Sequence, residues 1–588
     1  MKTLKYILPV LFIISSIFSA KAGDSIVTRN ITVEREYKPV IHDAGKINSI
    51  PKVLEPKVVK ISPVYSEFNL PLKAQDQNIQ TLPAAELNRD RRVDEPGGFA
   101  RIGLGNHINT LANFAYPLVN TSDVKLDFSL NHLGTFGSKA HSTTKTALSF
   151  DKYFDSFDLF AGIGTSHEYL KYYGNNFNKI NSVTDLDSLA KTHGKDTYIE
   201  QNLASLNRPA KQFSLSELAS ESDVNTFWRY NAYAGVRSLP LSTELRYQAE
   251  LQYKSFGIAN GLLENQMHTK ATFDKQRDAN RLGLDFDLYN LSYQSHKSGI
   301  VNYQDAYSVL TLNPFYKIEN QDFNVRLGVK SSFSFVHGRP FNPSVDIHAD
   351  WRVVPKYLLL YGGISGGYEV NTMDRMFSEN RYLYNDIKVE DTYSPSELYI
   401  GLKLKPVYNL LIDGFIDYQQ IDNQYFFINK EYKCDTIVGV NSTLYSNRFN
   451  VLYSAASLLK MGVRANYNLK NIVNVQLKTT YNSWNVVSEP YAWNKPKWEA
   501  SLNTDFKVTQ FVGISANVFY EGERFAKLGT TAIRMNPKVD INLGASYVYN
   551  SYITAFAKIN NLINNHYQEF YGYDVQGFNC LFGVSFSF

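Results

Sequence analysis

The chain has 588 residues, with 41 Tyr, 37 Phe and 5 Trp, yet its mean hydropathy is only -0.29. After residue 22 no run of about 18 apolar residues occurs, which excludes a protein that crosses a membrane by helices. The 60 Lys+Arg against 56 Asp+Glu are too evenly balanced to steer the chain toward nucleic acid.

The first 22 residues read as an export signal. Lys2 and Lys5 form a basic start, Ile7 to Ser19 an apolar run too short to span a bilayer, and Ala20-Lys21-Ala22 a small-x-small cleavage site before Gly23. Residues 23–96 differ from the rest of the chain. Pro39, Pro51, Pro56, Pro63, Pro71 and Pro83 forbid helices and central strands, so this part is expected to be an extended periplasmic arm or an insert in a lumen. Residues 97–588 form the third and largest part.

From residue 98 onward, stretches of roughly ten residues alternate with period two, one parity apolar and the other polar or small. Val124, Leu126, Phe128 and Leu130 alternate with Lys125, Asp127, Ser129 and Asn131; Phe323, Val325, Leu327 and Val329 alternate with Asn324, Arg326, Gly328 and Lys330. The same holds for Trp498 to Lys507 and Val539 to Tyr547. Soluble sandwiches alternate too, so length and connection decide: these stretches match the tilted strands that cross a bilayer, and short connections alternate with long ones. Short turns are expected near 119–123, 154–157, 238–242, 276–280, 318–322, 353–356, 406–409, 468–472, 508–511 and 549–552. Longer loops are expected at 171–224, 371–393, 421–456, 523–536 and 563–577. This predicts an all-β, transmembrane antiparallel barrel of about 22 strands with a Pro-rich extended N-terminal arm.

Within the loops, Ser214 and Glu217 fit a capping box before a short helix at Leu215 to Ser222. Loop 371–393 holds Asp374, Arg375, Glu379, Arg381, Tyr382, Tyr384, Asp386 and Glu390, a set suited either to stacking on a sugar or peptide ligand or to a solvated loop. The eleven His are scattered and show no H-E-x-x-H or G-x-S-x-G setting, and Cys434 and Cys580 have no metal-ligand spacing. The expectation is no enzyme, no metal and no cofactor. In the last strand Phe578, Cys580, Phe582, Val584, Phe586 and Phe588 share one parity; a strand ending Phe582, Val584, Phe586, Phe588 has the form of a barrel-assembly signal.

The stretch Asn561-Leu562-Ile563-Asn564, then Tyr567, Gly572-Tyr573, Gly577 and the strand to Phe588 resembles the final hairpin of TonB-dependent outer-membrane receptors. Ile563 stands where that family usually has Phe, and Phe578 where Arg usually follows the second Gly. The resemblance implies an outer-membrane barrel of a Gram-negative bacterium, embedded in outer-membrane lipids, delivered by the barrel-assembly machinery and engaged in uptake of a scarce solute with TonB as partner. Asp24-Ser25-Ile26-Val27-Thr28 or Asn30-Ile31-Thr32-Val33-Glu34 is loosely like the TonB-binding box, the second with Ile31, Thr32 and Val33 at its centre. Family members also carry a plug of well over a hundred residues, and residues 23–96 are too few to be one. Two readings are open: passage of a scarce solute, or a non-transporting structural or assembly barrel that docks a periplasmic or outer-membrane partner through its arm. A barrel this wide leaks unless filled, and the arm together with inward-folding loops is the expected filling.

Overall fold

The structure, a computed structural model, describes residues 97–174, 223–239, 245–259, 261–277, 280–295, 304–336, 338–385, 387–437, 440–470 and 472–588. The signal residues Ala20, Ala22 and Gly23, the arm with Ile31, Thr32 and Val33, and the helix expected at 215–222 lie outside them.

Strands run in the order β1 (Phe99–Gly105), β2 (Asn109–Asn120), β3 (Val124–Thr135), β4 (His141–Tyr153), β5 (Phe157–Lys171), β6 (Val224–Ser238), β7 (Leu245–Ile258), β8 (Leu262–Arg277) and β9 (Asn280–Ser295). Next come β10 (Tyr307–Glu319), β11 (Phe323–Phe335), β12 (Phe341–Val354), β13 (Leu358–Glu369), helix α1 (Met373–Glu379), β14 (Thr392–Val407), β15 (Leu410–Ile437), β16 (Val440–Leu469) and β17 (Val473–Val486). The chain ends with β18 (Trp498–Lys507), β19 (Val512–Glu521), β20 (Arg524–Leu528), β21 (Thr531–Met535), β22 (Lys538–Val548), β23 (Ile553–Asn560), β24 (Gln568–Phe570), β25 (Tyr573–Asp574) and β26 (Asn579–Ser587).

Twenty-two of these strands form one antiparallel sheet, while β20–β21 and β24–β25 are small hairpins set into two connections. The sheet closes because β1 pairs with β2 on one side and β26 on the other: Phe99 faces both Ala115 and Ser587, and Gly105 both Asn109 and Leu581. Closure leaves no raw edge, the condition for a sheet to survive in hydrocarbon. The described strand ends put a connection at each of the ten expected short-turn positions, all at one end of the barrel, so strand number and turn positions agree with the sequence reading. The opposite end carries the long connections. Segment 421–456 differs from expectation: its described residues, 421–437 and 440–456, are not loop but strand, the upper part of β15 and β16, which run 28 and 30 residues.

The alternation reports the two faces of the wall. Leu327, Val329, Trp498, Phe506, Tyr547, Phe582 and Phe586 are exposed on the outside, where an apolar belt with aromatic borders suits lipid. The other parity points into the lumen and is satisfied by charge. Arg326 bonds Asp346 at 3.0 Å and Asp285, with its guanidinium carbon 3.8 Å above the Phe315 ring centre. Asn313 bonds both carboxylates, at 3.2 and 2.9 Å. Tyr361 donates to Asp413 at 2.7 Å, His268 lies 2.9 Å from Asp287, and Lys330 donates to Ser365 and to the Gly366 carbonyl at 3.0 Å.

Candidate functional site: a loop folded across the barrel mouth

The connection from β13 to β14 does not stay above the rim. It leaves the wall at Val370, where β10 flanks its root, and packs across the mouth against β5 to β9 and against β15 and β16. Its helix forms for local reasons. The Thr372 side chain accepts from the Arg375 amide at 3.2 Å as an N-cap, Asp374 sits in the first turn, and the Asn380 amide closes on the Met376 carbonyl at 2.8 Å. Met373, Met376 and Phe377, spaced i, i+3 and i+4, give one apolar face. Seven residues make a helix too short to persist alone, so its stability comes from docking.

That docking is dry. Met373 and Met376 are 0% exposed, and Phe377 packs on Phe227 of β6 and Phe256 of β7 with ring centres 5.3 and 5.5 Å apart. Burying each of these side chains contributes roughly 2 to 3 kcal/mol. Beyond the helix, the loop pairs with β16: the Phe449 amide donates to the Tyr382 carbonyl at 3.0 Å and the Tyr384 amide to the Phe449 carbonyl at 2.8 Å. Tyr382 and Tyr384 are therefore buried, which corrects the reading of 371–393 as a loop offering its rings to a ligand or to solvent. Asp386 lies outside the described residues.

Charged groups fasten the helix to the far wall. Arg229 of β6 donates from Nε to Asp374 at 2.5 Å and from Nη1 to Glu168 of β5 at 2.8 Å. Glu264 of β8, 0% exposed, accepts from the Met373 and Asp374 amides at 2.6 and 3.3 Å and from Gln266 at 2.7 Å. His141 Nε2 lies 3.0 Å from Glu168 and 2.7 Å from the Arg381 guanidinium, and one ring nitrogen serves only one of them at a time. None of Glu168, Arg229 or Glu264 carries a sequence signal, because each occupies an ordinary polar place on an alternating strand.

The terminal hairpin meets this loop. Tyr573 is fully buried, stacks on Tyr382 at 3.6 Å and donates to the Asn447 carbonyl at 2.7 Å. The other family-like residues build the turn that delivers it. Asn561 adopts φ +47° and its amide bridges to both ends of the Asn565 backbone, Tyr567 donates to Asp540 at 2.9 Å, and Gly572 has φ +91°. A Cβ on Gly577 would lie 2.5 Å from Asn564 Oδ1. Leu562 donates its amide to the Ile541 carbonyl at 2.8 Å and leaves its side chain half exposed. Phe588 ends the seam, exchanging backbone bonds of 2.7 and 3.0 Å with Gly98 and stacking on Tyr116. Val584 sits between Ile102 of β1 and Ala555 of β23.

One carboxylate makes the loop sensitive to acid. Burial alone would raise Glu379, but Lys495 at 2.5 Å, the Tyr425 hydroxyl at 2.7 Å and Arg375 hold it below its ordinary value of 4.5. A carboxyl lowered by docking contributes fully above its ordinary value, and the contribution is lost as pH falls through the lowered one. Protection of the 373–380 amides in hydrogen exchange, corrected for intrinsic rate, is therefore expected to lose the Glu379 contribution as pH falls below 4.5. Glu379→Gln should remove that slope; an unchanged slope would assign it to another group.

The molecule is thus a large closed antiparallel β-barrel with a charged lumen and a loop packed across its mouth. No family model and no curated protein matches the sequence. Among solved structures it is similar to the siderophore receptor PirA from Acinetobacter baumannii, with TM-score 0.59 and 9% identity over 85% of this chain and 81% of that one. It is also similar to the ferric-catecholate import receptor Fiu from E. coli K12, with TM-score 0.58 and 9% identity over 84% and 82%. The ferripyoverdine receptor of the Pseudomonas aeruginosa outer membrane gives 0.57 and 12% over 85% and 73%. The chain has the barrel fold of TonB-dependent receptors, as its last hairpin implied.

Proposed function

We propose that the protein sits in the outer membrane of a Gram-negative cell and mediates selective uptake of a scarce solute. The observation that carries this reading is the closed 22-strand barrel with its ion-paired lumen, on the fold of three receptors for iron complexes. By the same analogy TonB is the energy-coupling partner, and Ile31, Thr32 and Val33 are its contact. The solute enters past the loop Val370–Asp391.

The test is conductance in planar bilayers of the full chain, of a chain lacking 23–96, and of both with 373–389 replaced by a glycine-serine linker. Currents that appear when the loop is removed support passage through the lumen. Silence of all four proteins would overturn it. The dry core across the mouth favours a second reading, a permanently capped scaffold that holds a partner through residues 23–96. Copurification of a stoichiometric partner other than TonB, together with silent bilayers, would establish that reading instead.

A further inference from the structure

We propose that the loop Val370–Asp391 is a hinged flap, turning as one body about a clamped neck and held shut on the opposite wall by Arg229. The proposal rests on the reading of the barrel as a conduit, and adds how the mouth opens.

The neck comes first. Asp391 accepts from the Asn371 amide at 3.0 Å, from Tyr307 at 2.9 Å and from Tyr368 at 2.9 Å. Asn371 reaches the Glu390 carbonyl at 2.8 Å and Thr392 at 2.9 Å, so the outgoing and returning strands of the loop are tied together where they leave the wall. A loop tied at its root cannot unravel from one end, and it moves as a unit.

The far wall grips differently. Its two charged holds on the helix, Arg229 and Glu264, are arranged so that release leaves neither without a partner. When Asp374 leaves, Arg229 keeps Glu168, its partner on the neighbouring strand, and keeps the Phe256 ring, 4.9 Å from its guanidinium carbon. When the helix amides leave, Glu264 keeps Gln266 from its own strand. Asp374 and Arg381 then enter water, where they are well solvated. A buried pair that loses one member is costly because the other is stranded; here Arg229 and Glu264 each keep a second partner in the wall. Two satisfied arrangements of the same groups are what a two-state element requires. The dry face of Met373, Met376 and Phe377 sets the resting state closed, and Arg229 is the point at which an incoming charged solute competes with Asp374.

The experiment places a single thiol under the flap: Met373→Cys in a chain carrying Cys434→Ser and Cys580→Ser. The rate of modification by a small water-soluble thiosulfonate is then measured in membranes. Met373 is 0% exposed, so labelling reports opening. Arg229→Gln is expected to speed labelling at least tenfold and Asp374→Asn by a smaller factor. Asp374→Asn lies on the flap and leaves the wall pair intact, so it decides the matter if Arg229→Gln does not assemble. Labelling at the parental rate in Asp374→Asn and in any assembled Arg229→Gln would overturn the gate. Loop-replaced barrels that pass no ions would sink the uptake reading while leaving the labelling result standing.

Discussion

Phe377→Ala is expected to undock the mouth loop. The ring is 2% exposed between Phe227 and Phe256, and removing a buried Phe typically costs about 3 to 5 kcal/mol. A seven-residue helix has little stability of its own, so the loss falls on the docked state. The readout is trypsin acting on the membrane-embedded protein. Cleavage after Arg375 and Arg381 should be slow in the parent and at least a hundredfold faster in the variant, with the barrel itself still resistant. A variant that resists trypsin like the parent would mean that the hydrogen bonds to β16 hold the loop without the ring.

Gly583→Val is expected to stop the barrel from closing. Gly583 of β26 faces Gly103 of β1, and a Cβ on Gly583 would lie 2.2 Å from the Ile102 carbonyl oxygen and 2.3 Å from the Phe556 ring. The first contact is with backbone of the partner strand, so relief means parting the strands. Overpacking inside one sheet typically costs about 1 to 3 kcal/mol, and here it falls on the seam that removes the last edges. The folded, heat-modifiable band on cold gels should be lost, whereas Gly414→Ala, where a Cβ would meet nothing within 4 Å, should migrate like the parent. A Gly583→Val barrel with normal heat shift would show that the seam tolerates a side chain.

Strand number and turn positions were legible because they depend on local rules. A lipid-facing parity cannot carry Lys or Asp, and a turn such as Asn120-Thr121-Ser122-Asp123 breaks the alternation where the chain reverses. The direction of the β13–β14 loop was not legible. Its landing site is made of Leu170, Phe227, Phe256 and Glu264, which lie far away in sequence and read as normal members of alternating strands. Two apolar residues and a Phe in a charged loop look like incidental residues until the opposite wall is known. Segment 421–456 misled for a related reason: alternation continues past the rim, so a strand that outgrows the membrane has no local stop signal. Tyr573 was singled out by family likeness, but its work, stacking on Tyr382, became visible only with both loops in place.

The pairing of β1 with β26 sets the order in which this molecule can come into being. Asn106 bonds the Phe578 carbonyl across 472 positions of sequence, so nearly the whole chain must be present before the ring can shut. Joining ends so far apart costs about 5 kcal/mol of loop entropy if nothing between is ordered. Folding therefore proceeds by adding neighbouring hairpins, each closing only a short loop, with the longest-range contact formed last. Until then β1 and β26 each present a bare edge able to recruit a foreign strand. A chain cut just before Asn579 has no β26, so β1 and β23 keep bare edges for good, and its fate is aggregation or proteolysis rather than a smaller pore.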